Sequence, residues 1–388
     1  MKPKIRFKGF EGGWKAEELA HVCSVNRGVR VTRNDLHNNG IYPVYQNTDY
    51  PMGYYTKFNV ESNNPFVIVG GSAGLIGFCH TNFWAADDCV FFGDNPIINK
   101  SFLYNNLIFH KTEIKRNVRG ASVPRLDRET LRKLPVSIPS LPEQQEIASY
   151  FTSLDSQISA ATSRLASLKQ MKAASLQAMF PQEGETVPKI RFKGFEGEWK
   201  KVKLNSFAKR VTRKNSHLES TLALTIASAH GLVSQIDYFN NLVVGSNIRN
   251  YYLLKKGEFA YNKSYSNGYP FGSVKRLERY EQGILSTLYI TFSIDNSISS
   301  DYLTHFFDTN LWHKEVAERA AEGARNHGLL NIGANDFLDI NIWKPESKSE
   351  QLAIASYFTS LDRQISLQSQ RLEKLKQIKS ACLDKMFV

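Results

Sequence analysis

Pro3-Lys4-Ile5-Arg6-Phe7-Lys8-Gly9-Phe10-Glu11-Gly12-Gly13-Trp14-Lys15 returns at Pro188 to Lys200 with one change, Gly13 against Glu198. The offset is 188 − 3 = 185 residues. A chain that writes one passage twice carries two copies of one plan. Arg30-Val31-Thr32-Arg33 returns as Arg210-Val211-Thr212-Arg213 at offset 180. Ala148-Ser149-Tyr150-Phe151-Thr152-Ser153-Leu154-Asp155 returns unaltered as Ala355 to Asp362, at offset 207. At that same offset Arg164-Leu165 to Met179-Phe180 returns loosely as Arg371-Leu372 to Met386-Phe387. Between these ends, residues 16 to 139 and 201 to 346 share almost nothing and differ in length by 207 − 185 = 22 residues. Common ends imply one docking geometry used twice; divergent middles imply two different things recognised.

The matched tails follow a helical pattern. Apolar residues fall at Ile147, Phe151, Leu154, Ile158, Ala161, Leu165 and Leu168, in the alternating steps of a coiled coil. The second copy gives Ile354, Phe358, Leu361, Ile365, Leu372 and Leu375, with Gln368 interrupting the seam. Both tails open on Ser-x-x-Glu, Ser140 to Glu143 and Ser347 to Glu350, the spacing of a capping box. Pro142 suits a first helical turn, and Pro181 with Gly184 ends the first helix after Phe180. A helix of about 38 residues spans about 57 Å at about 1.5 Å per residue. Two such helices, each following its own globular segment, are expected to run antiparallel and to serve as a spacer. One turn of B-DNA is about 34 to 36 Å, within the reach of such a rod. Core helices of two ordinary domains would show the same periodicity.

With 388 residues the chain suits two domains plus connectors. The expected fold class is α+β, two globular mixed α/β domains joined by two long antiparallel coiled-coil helices with a pseudo-twofold internal repeat. The expected segments are a recognition domain at 1–142, a spacer helix at 143–180, a linker at 181–187, a second recognition domain at 188–349 and a second spacer helix at 350–388. Strands are expected at Phe66 to Val69, Cys89 to Phe92 and Pro135 to Ile138, then at Leu288 to Phe292 and Leu338 to Trp343. Apolar residues at 42% and charged residues at 22% are ordinary for globular chains. No apolar run approaches the length of a membrane helix and the start lacks the apolar stretch of a signal peptide, so the expected location is the cytoplasm.

The net charge of +12 is unevenly spread. Residues 1 to 142 carry 18 basic and 12 acidic side chains and residues 188 to 349 carry 22 and 16, so each segment is +6. A polyanion gripped at two places would produce that pattern, because Lys and Arg gain affinity by releasing phosphate counterions. A basic surface serving only solubility is the bland alternative. The four cysteines, at 23, 79, 89 and 382, form no C-x-x-C pair and are read as reduced thiols. Cys79 and His80 adjoin, a poor geometry for tetrahedral zinc, and no metal is expected.

Candidate contact residues are polar or aromatic groups in loops. Gln46 and Asn47 precede Tyr50 in one loop, and Lys263, Ser264, Tyr265 and Asn267 form another. Amides can bond adenine bidentately, Arg and Lys guanine, and Tyr can pack on sugar or base. Ser72, in Gly70-Gly71-Ser72-Ala73-Gly74, matches Ser266-Asn267-Gly268 in position, each ahead of another glycine, Gly77 and Gly272. Arg119 and Ser122, in Arg119-Gly120-Ala121-Ser122, match Arg325 and Asn326 in Glu322-Gly323-Ala324-Arg325-Asn326. The repeated Arg30, Arg33, Arg210 and Arg213 complete the set as phosphate contacts. For each of these residues an ordinary turn is the competing reading.

The Arg6-Phe7-x-Gly9-Phe10-x-x-x-Trp14 opening, the Leu141-Pro142-Glu143-Gln144-x-x-Ile147 helix start and the Leu154-Asp155-x-x-Ile158 seam, all repeated, resemble the specificity subunits of type I restriction-modification systems over the whole chain. That resemblance implies two target recognition domains reading the halves of a split, asymmetric double-stranded DNA site. It implies docking of two methyltransferase subunits and, in the full enzyme, of restriction subunits. S-adenosylmethionine, ATP and Mg would then belong to those partners, with no cofactor and no catalytic residue on this chain. One departure is Glu350-Gln351-Leu352-Ala353 in place of Glu143-Gln144-Gln145-Glu146, which leaves open whether both helix starts meet partners alike. An enzyme acting alone fits less well. Asn64-Pro65-Phe66 is one proline short of a base-holding methyltransferase turn, and no G-x-x-x-x-G-K-[ST] is present. A protein-only coiled-coil adaptor would not need the matched basic segments.

Overall fold

The computed structural model describes the chain except for residues 37–38, 229–230, 242–246 and 321–329. It divides into two compact units, Met1–Arg164 with Gln368–Val388, and Leu165–Leu367. The division cuts both long helices, Leu141–Ala178 of 38 residues and Lys348–Met386 of 39. Each unit therefore combines one globular segment, the opening half of one helix and the closing half of the other. Among the described residues no helix is long and apolar enough to cross a membrane.

In the first unit, Tyr150 Oη lies 3.4 Å from Cys382 Sγ, Lys379 Nζ lies 2.5 Å from Asp155, and Gln368 Nε2 donates to the Ala161 carbonyl at 3.1 Å. One helix ascends while its partner descends, so the two halves run antiparallel. The second unit repeats this with Ser175 Oγ 2.9 Å from Tyr357 Oη and Lys172 2.8 Å from Asp362. Gln368, the residue that breaks the apolar seam, thus has a backbone acceptor waiting for it. Phe151, Leu154, Leu168, Phe358, Leu361 and Leu372 of the seam are buried, and Ile158, Leu165, Ile365 and Leu375 are half-buried.

The repeated opening motif closes these helices. Arg6 forms a two-bond pair with Glu143, Nε to Oε1 and Nη2 to Oε2, both at 2.7 Å, and its Nη1 donates to the Gly12 carbonyl at 2.6 Å. Arg191 does the same with Glu350, at 2.7 and 2.8 Å, and with the Gly197 carbonyl at 2.6 Å. The bidentate fork fixes direction as well as distance. The helix starts are therefore not reciprocal capping boxes: both glutamates turn their carboxylates to the arginines, although the Ser347 hydroxyl still accepts from the Glu350 amide at 3.3 Å. Gln144 and Gln351, wholly buried, accept from the amides of Asn99 and Ser299 at 2.9 and 2.8 Å. The departures at Gln145, Glu146 and Leu352 fall on exposed positions, so they leave this closure untouched.

The far end of each helix supplies an aromatic plug. Phe387 sits 6.2 Å from Trp14 and 5.9 Å from Phe151, ring centre to ring centre; Phe180 sits 5.8 Å from Trp199 and 6.0 Å from Phe358. All six rings are buried. These aromatic contacts join the main core of each unit.

Beneath the unlike middles lies one sheet plan. The first unit orders Val25–Arg27, Cys89–Phe92, Asn64–Ile68 and Ile76–Cys79; the second orders Ala208–Arg210, Ile290–Ile294, Phe259–Asn262 and Ser273–Arg276. All these pairings are antiparallel, and the third and fourth strands are joined as a hairpin in both. A two-stranded pair also recurs, Lys15–Glu18 with Pro135–Ile138 and Lys200–Lys203 with Asn341–Lys344. Beyond this the units differ. The first adds Gly53–Tyr55, Tyr42–Tyr45 and Trp84–Ala85, with one parallel pairing, and the second adds two separate two-stranded pairs. Two expected strands move: Leu288 lies in a turn ahead of Ile290–Ile294, and Leu338 ends a short helix, Ala334–Leu338, whose Phe337 faces the core. Asn64-Pro65-Phe66 is part of a wholly buried strand, with Asn64 Nδ2 bonded to the Phe92 carbonyl at 2.9 Å, which removes it as a base-holding turn.

Candidate nucleic-acid interface

The hairpin between the third and fourth strands is the common structural address of the two middles. In the first unit it holds Gly70 to Gly74 with Ser72; in the second it holds Lys263 to Gly272. Sequence position alone had paired these glycine-rich stretches, and the sheet order now gives the pairing a cause. Gly71 has φ +77 and a Cβ there would fall 2.8 Å from the Asn47 Cβ, so the Ser72 loop and the Asn47 loop touch. The Ser72 amide donates to the Asn47 carbonyl at 3.0 Å.

A third loop joins them. Arg119 and Arg125 exchange backbone bonds at 2.8 and 2.7 Å, the Gly71 amide donates to the Pro124 carbonyl at 3.2 Å, and Leu126 bonds Val69 at 2.9 Å. Asn47, Ser72, Arg119 and Ser122 thereby stand on three interlocked loops, all with exposed side chains. Gln46, half-buried, is held at 3.5 Å from Asp87. Arg125, which the sequence reading missed, lies at the centre: its guanidinium is 62% exposed and 3.3 Å from Asp88. Its signal in the sequence is weak, since it falls between the glycine-rich and helical patterns that drew attention.

Arg30 and Arg33 lie apart from that cluster. They are exposed on the segment that runs past Trp84–Ala85, where Trp84 Nε1 donates to the Val29 carbonyl at 2.8 Å. Arg33 opens a single turn, Arg33–Asp35, capped by Thr32 and Asp35. The sequence match of Arg30 with Arg210 does not hold on the sheet, because Arg210 ends its strand as Arg27 does. Arg210 is exposed and 3.4 Å from the Tyr252 hydroxyl.

Arg213 is engaged elsewhere. Its Nη2 lies 2.9 and 2.7 Å from the two carboxylate oxygens of Glu258. Glu258 precedes the strand Phe259–Asn262 and Lys263 follows it, so Arg213 and the Lys263 loop lie at opposite ends of that strand. In the loop itself, Ser264 is turned by an amide bond to Asn262 Oδ1 at 3.0 Å, and Ser266 and Tyr269 close a tight hairpin at 2.8 Å. Gly272, φ +76, permits the return: a Cβ would strike the Asn262 carbonyl at 2.0 Å. That geometry leaves Tyr265 63% exposed and Asn267 exposed, with Lys263 and Ser264 half-buried. Arg325 and Asn326 lie outside the described residues.

Three of the four cysteines are packed away, and Cys382 is half-buried. Cys23, Cys79 and Cys89 are buried, burial pushes the Cys23 thiol up to about 12, and burial raises Cys89 further. His80 is exposed and bonded to Asn63 at 3.4 Å. Among the described residues His305, Asp308 and Asp362 bring possible ligand atoms within 4.8 Å of one another, but lysines already hold the carboxylates. Lys172 lies 2.8 Å from both Asp308 and Asp362, and Lys275 lies 3.1 Å from Asp308.

Residues 11–170 match the family model of the type I restriction modification DNA specificity domain. The specificity subunit of the type I restriction enzyme MjaVIII, from Methanocaldococcus jannaschii, is 24% identical over 179 residues, 42% of each chain. The type I specificity subunit S.MpnORF638P of Mycoplasma pneumoniae is 22% identical over 161 residues, 41% of this chain and 43% of the relative. Each alignment thus spans less than half of the relative's length. The crystal structure of a type I restriction-modification S subunit from M. genitalium overlays with a TM-score of 0.72 at 16% identity, covering 100% of this chain and 99% of that one, which establishes a shared fold. Over residues 11–170 the chain is thus similar to the type I restriction modification DNA specificity domain, and over its whole length it shares the fold of an S subunit.

Proposed function

We propose that the chain reads a bipartite, asymmetric double-stranded DNA site, one half with each unit, and docks methyltransferase and restriction subunits that hold the S-adenosylmethionine, ATP and Mg. Residues 1–142 and 188–349 act as the recognition domains, 143–180 and 350–388 as spacer helices and 181–187 as linker. One observation carries the reading: the same hairpin of the same sheet carries Ser72 in the first unit, interlocked with the Asn47 and Arg119 loops, and the unlike stretch Lys263 to Asn267 in the second. Ser72 with Asn47, Gln46, Arg119 and Ser122 serves one half-site. Lys263, Ser264, Tyr265 and Asn267 serve the other, with Arg325 and Asn326 assigned there by sequence. Exposed Arg30, Arg33 and Arg210 supply phosphate contacts, and Arg125 joins the first set. Arg213 remains a phosphate contact only if DNA draws it from Glu258.

Unlike side chains on one scaffold give unlike base preferences, while equal net charges of +6 give comparable grip. The test measures binding of the chain, assembled with its methyltransferase partner, to a target duplex over a range of salt. Affinity falling linearly in log[salt] with a slope of several units is expected. Binding without salt dependence would favour a protein-only adaptor. Methyl transfer by the purified chain alone would overturn the non-catalytic assignment.

A further inference from the structure

In the first unit the opening turns of the first long helix turn one face to the seam and another to a cavity of about 410 Å³. Thr152, Asp155, Ser156 and Ser159 line it, at the three- and four-residue spacings of one helix face. Asn105 stands opposite, 2% exposed: its Nδ2 donates to the Ser101 carbonyl at 2.8 Å, while its Oδ1 is buried with no hydrogen-bond partner. Buried acceptors are nearly always satisfied in folded proteins.

The second unit shows what the matching place holds when it is filled. Thr152, Asp155 and Lys379 recur, 207 residues away, as Thr359, Asp362 and Lys172. The buried glutamines bond the caps Asn99 and Ser299, which align Asn105 with His305 and Ile108 with Asp308. There His305 Nε2 lies 3.1 Å from Thr359 Oγ1, its Nδ1 lies 3.8 Å from Asp362, and Asp308 with Lys275 completes the packing. Asn105 is too short to do the work of His305, and Ile108 carries no charge. Space is left beside Asp155, which pairs with Lys379 at 2.5 Å and is 41% exposed.

We propose that this cavity is a binding site for a guanidinium group. Asp155 and Asn105 Oδ1 are two acceptors, and a planar fork of N–H donors can serve both at once. Phe78 and Tyr104, ring centres 5.3 Å apart, supply the aromatic wall on which a guanidinium stacks and a strongly hydrated ammonium does not. Burial, together with the charge of Asp155, raises the Tyr104 hydroxyl above its ordinary value, which agrees with both groups lining one cavity. The guanidinium is either a free small molecule or the tip of a partner's arginine.

The test titrates the full chain with agmatine by calorimetry, with 1,4-diaminobutane as the control cation. One agmatine per chain is expected, bound about tenfold more tightly than the control, a difference of about 1.4 kcal/mol. Asp155→Asn is expected to abolish binding, and Lys379→Ala to tighten it by releasing the carboxylate. Ser156→Trp, on an exposed helix position, fills the cavity and is expected to abolish binding with an unchanged melting temperature. Displacement of an assembled methyltransferase partner by agmatine identifies an arginine of that partner as the source; undisturbed assembly with agmatine bound identifies a free ligand. No saturable binding up to about 10 mM, a weak limit on the affinity scale, equal binding of 1,4-diaminobutane, or binding that survives Ser156→Trp overturns the proposal.

Discussion

Asp155 and Asp362 occupy the same turn of the same repeated sequence, yet Asp155 pairs with Lys379 while Asp362 joins Lys172, His305, Asp308 and Lys275 in one network. The helix residues are common to both copies. The extra members, His305, Asp308 and Lys275, come from the middle that diverged. By contrast the Arg6–Glu143 and Arg191–Glu350 pairs agree to within 0.1 Å because every group in them belongs to the repeated ends. A repeat therefore fixes what it closes with its own residues, and leaves to its neighbours whatever must be filled from outside.

The largest test of that contrast exchanges residues 16 to 139 for the matching segment of a type I specificity subunit. Discrimination should change at one half-site, on the order of a thousandfold between old and new sequence, and stay fixed at the other. A change at both half-sites, read from competition binding, would show that the middles are not independent.

Next come the aromatic plugs. Phe387→Ala and Phe180→Ala should each cost about 3 to 5 kcal/mol in denaturant unfolding, because each empties a core position lined by rings. Closely similar losses are expected from the shared closure; a loss at one site only would break the symmetry of the two units.

Acid should then separate the units. Burial pushes the Asp308 carboxyl up, but His305, Lys275 and Lys172 outweigh it and hold the group well below the usual carboxylate range. The folded value lies below the unfolded one, so the unfolded chain binds the proton first and the stabilisation is lost as pH falls below about 4. Hydrogen exchange across that range should show protection around Asp308 falling, while Ile108, its counterpart in the first unit, contributes no such titration. Equal acid sensitivity at both places would remove the network as the cause.

The smallest effect concerns the repeated arginines. Arg33→Ala should weaken DNA binding uniformly across sequences and lower the salt slope by about 1. Arg213→Ala should instead lower the stability of the second unit, since it removes the cation paired with Glu258 and leaves that carboxylate only the Lys255 amide. Identical binding losses for the two would restore them as equivalent phosphate contacts.

Much of the closure was legible, because repetition and three-and-four spacing are local signals. Phe180 and Phe387 stood out as matched residues at the helix ends, and the breaking of the seam at Gln368 was visible before its acceptor was known. The partners were hidden by distance along the chain. Arg6 and Glu143 are 137 residues apart, and both were noticed as motif members without being joined. The four-stranded sheet was harder still, since its order follows from pairings between strands separated by loops of unequal length. Only the glycine-rich hairpins betrayed it, at Gly71 and Gly272. Arg125 escaped because its importance lies in backbone bonds to Arg119, which no side-chain pattern records.

The interleaving of helix halves also bears on how the protein is made. A ribosome delivers residues in order, and the first unit waits for Phe387 before Trp14 has its aromatic neighbour, some 370 residues after Trp14 itself emerges. The second unit receives Phe180 early but waits for Glu350 before Arg191 is paired. Both cores therefore stay open on the nascent chain until residues 350 to 387 emerge, and that one helix seals the two of them.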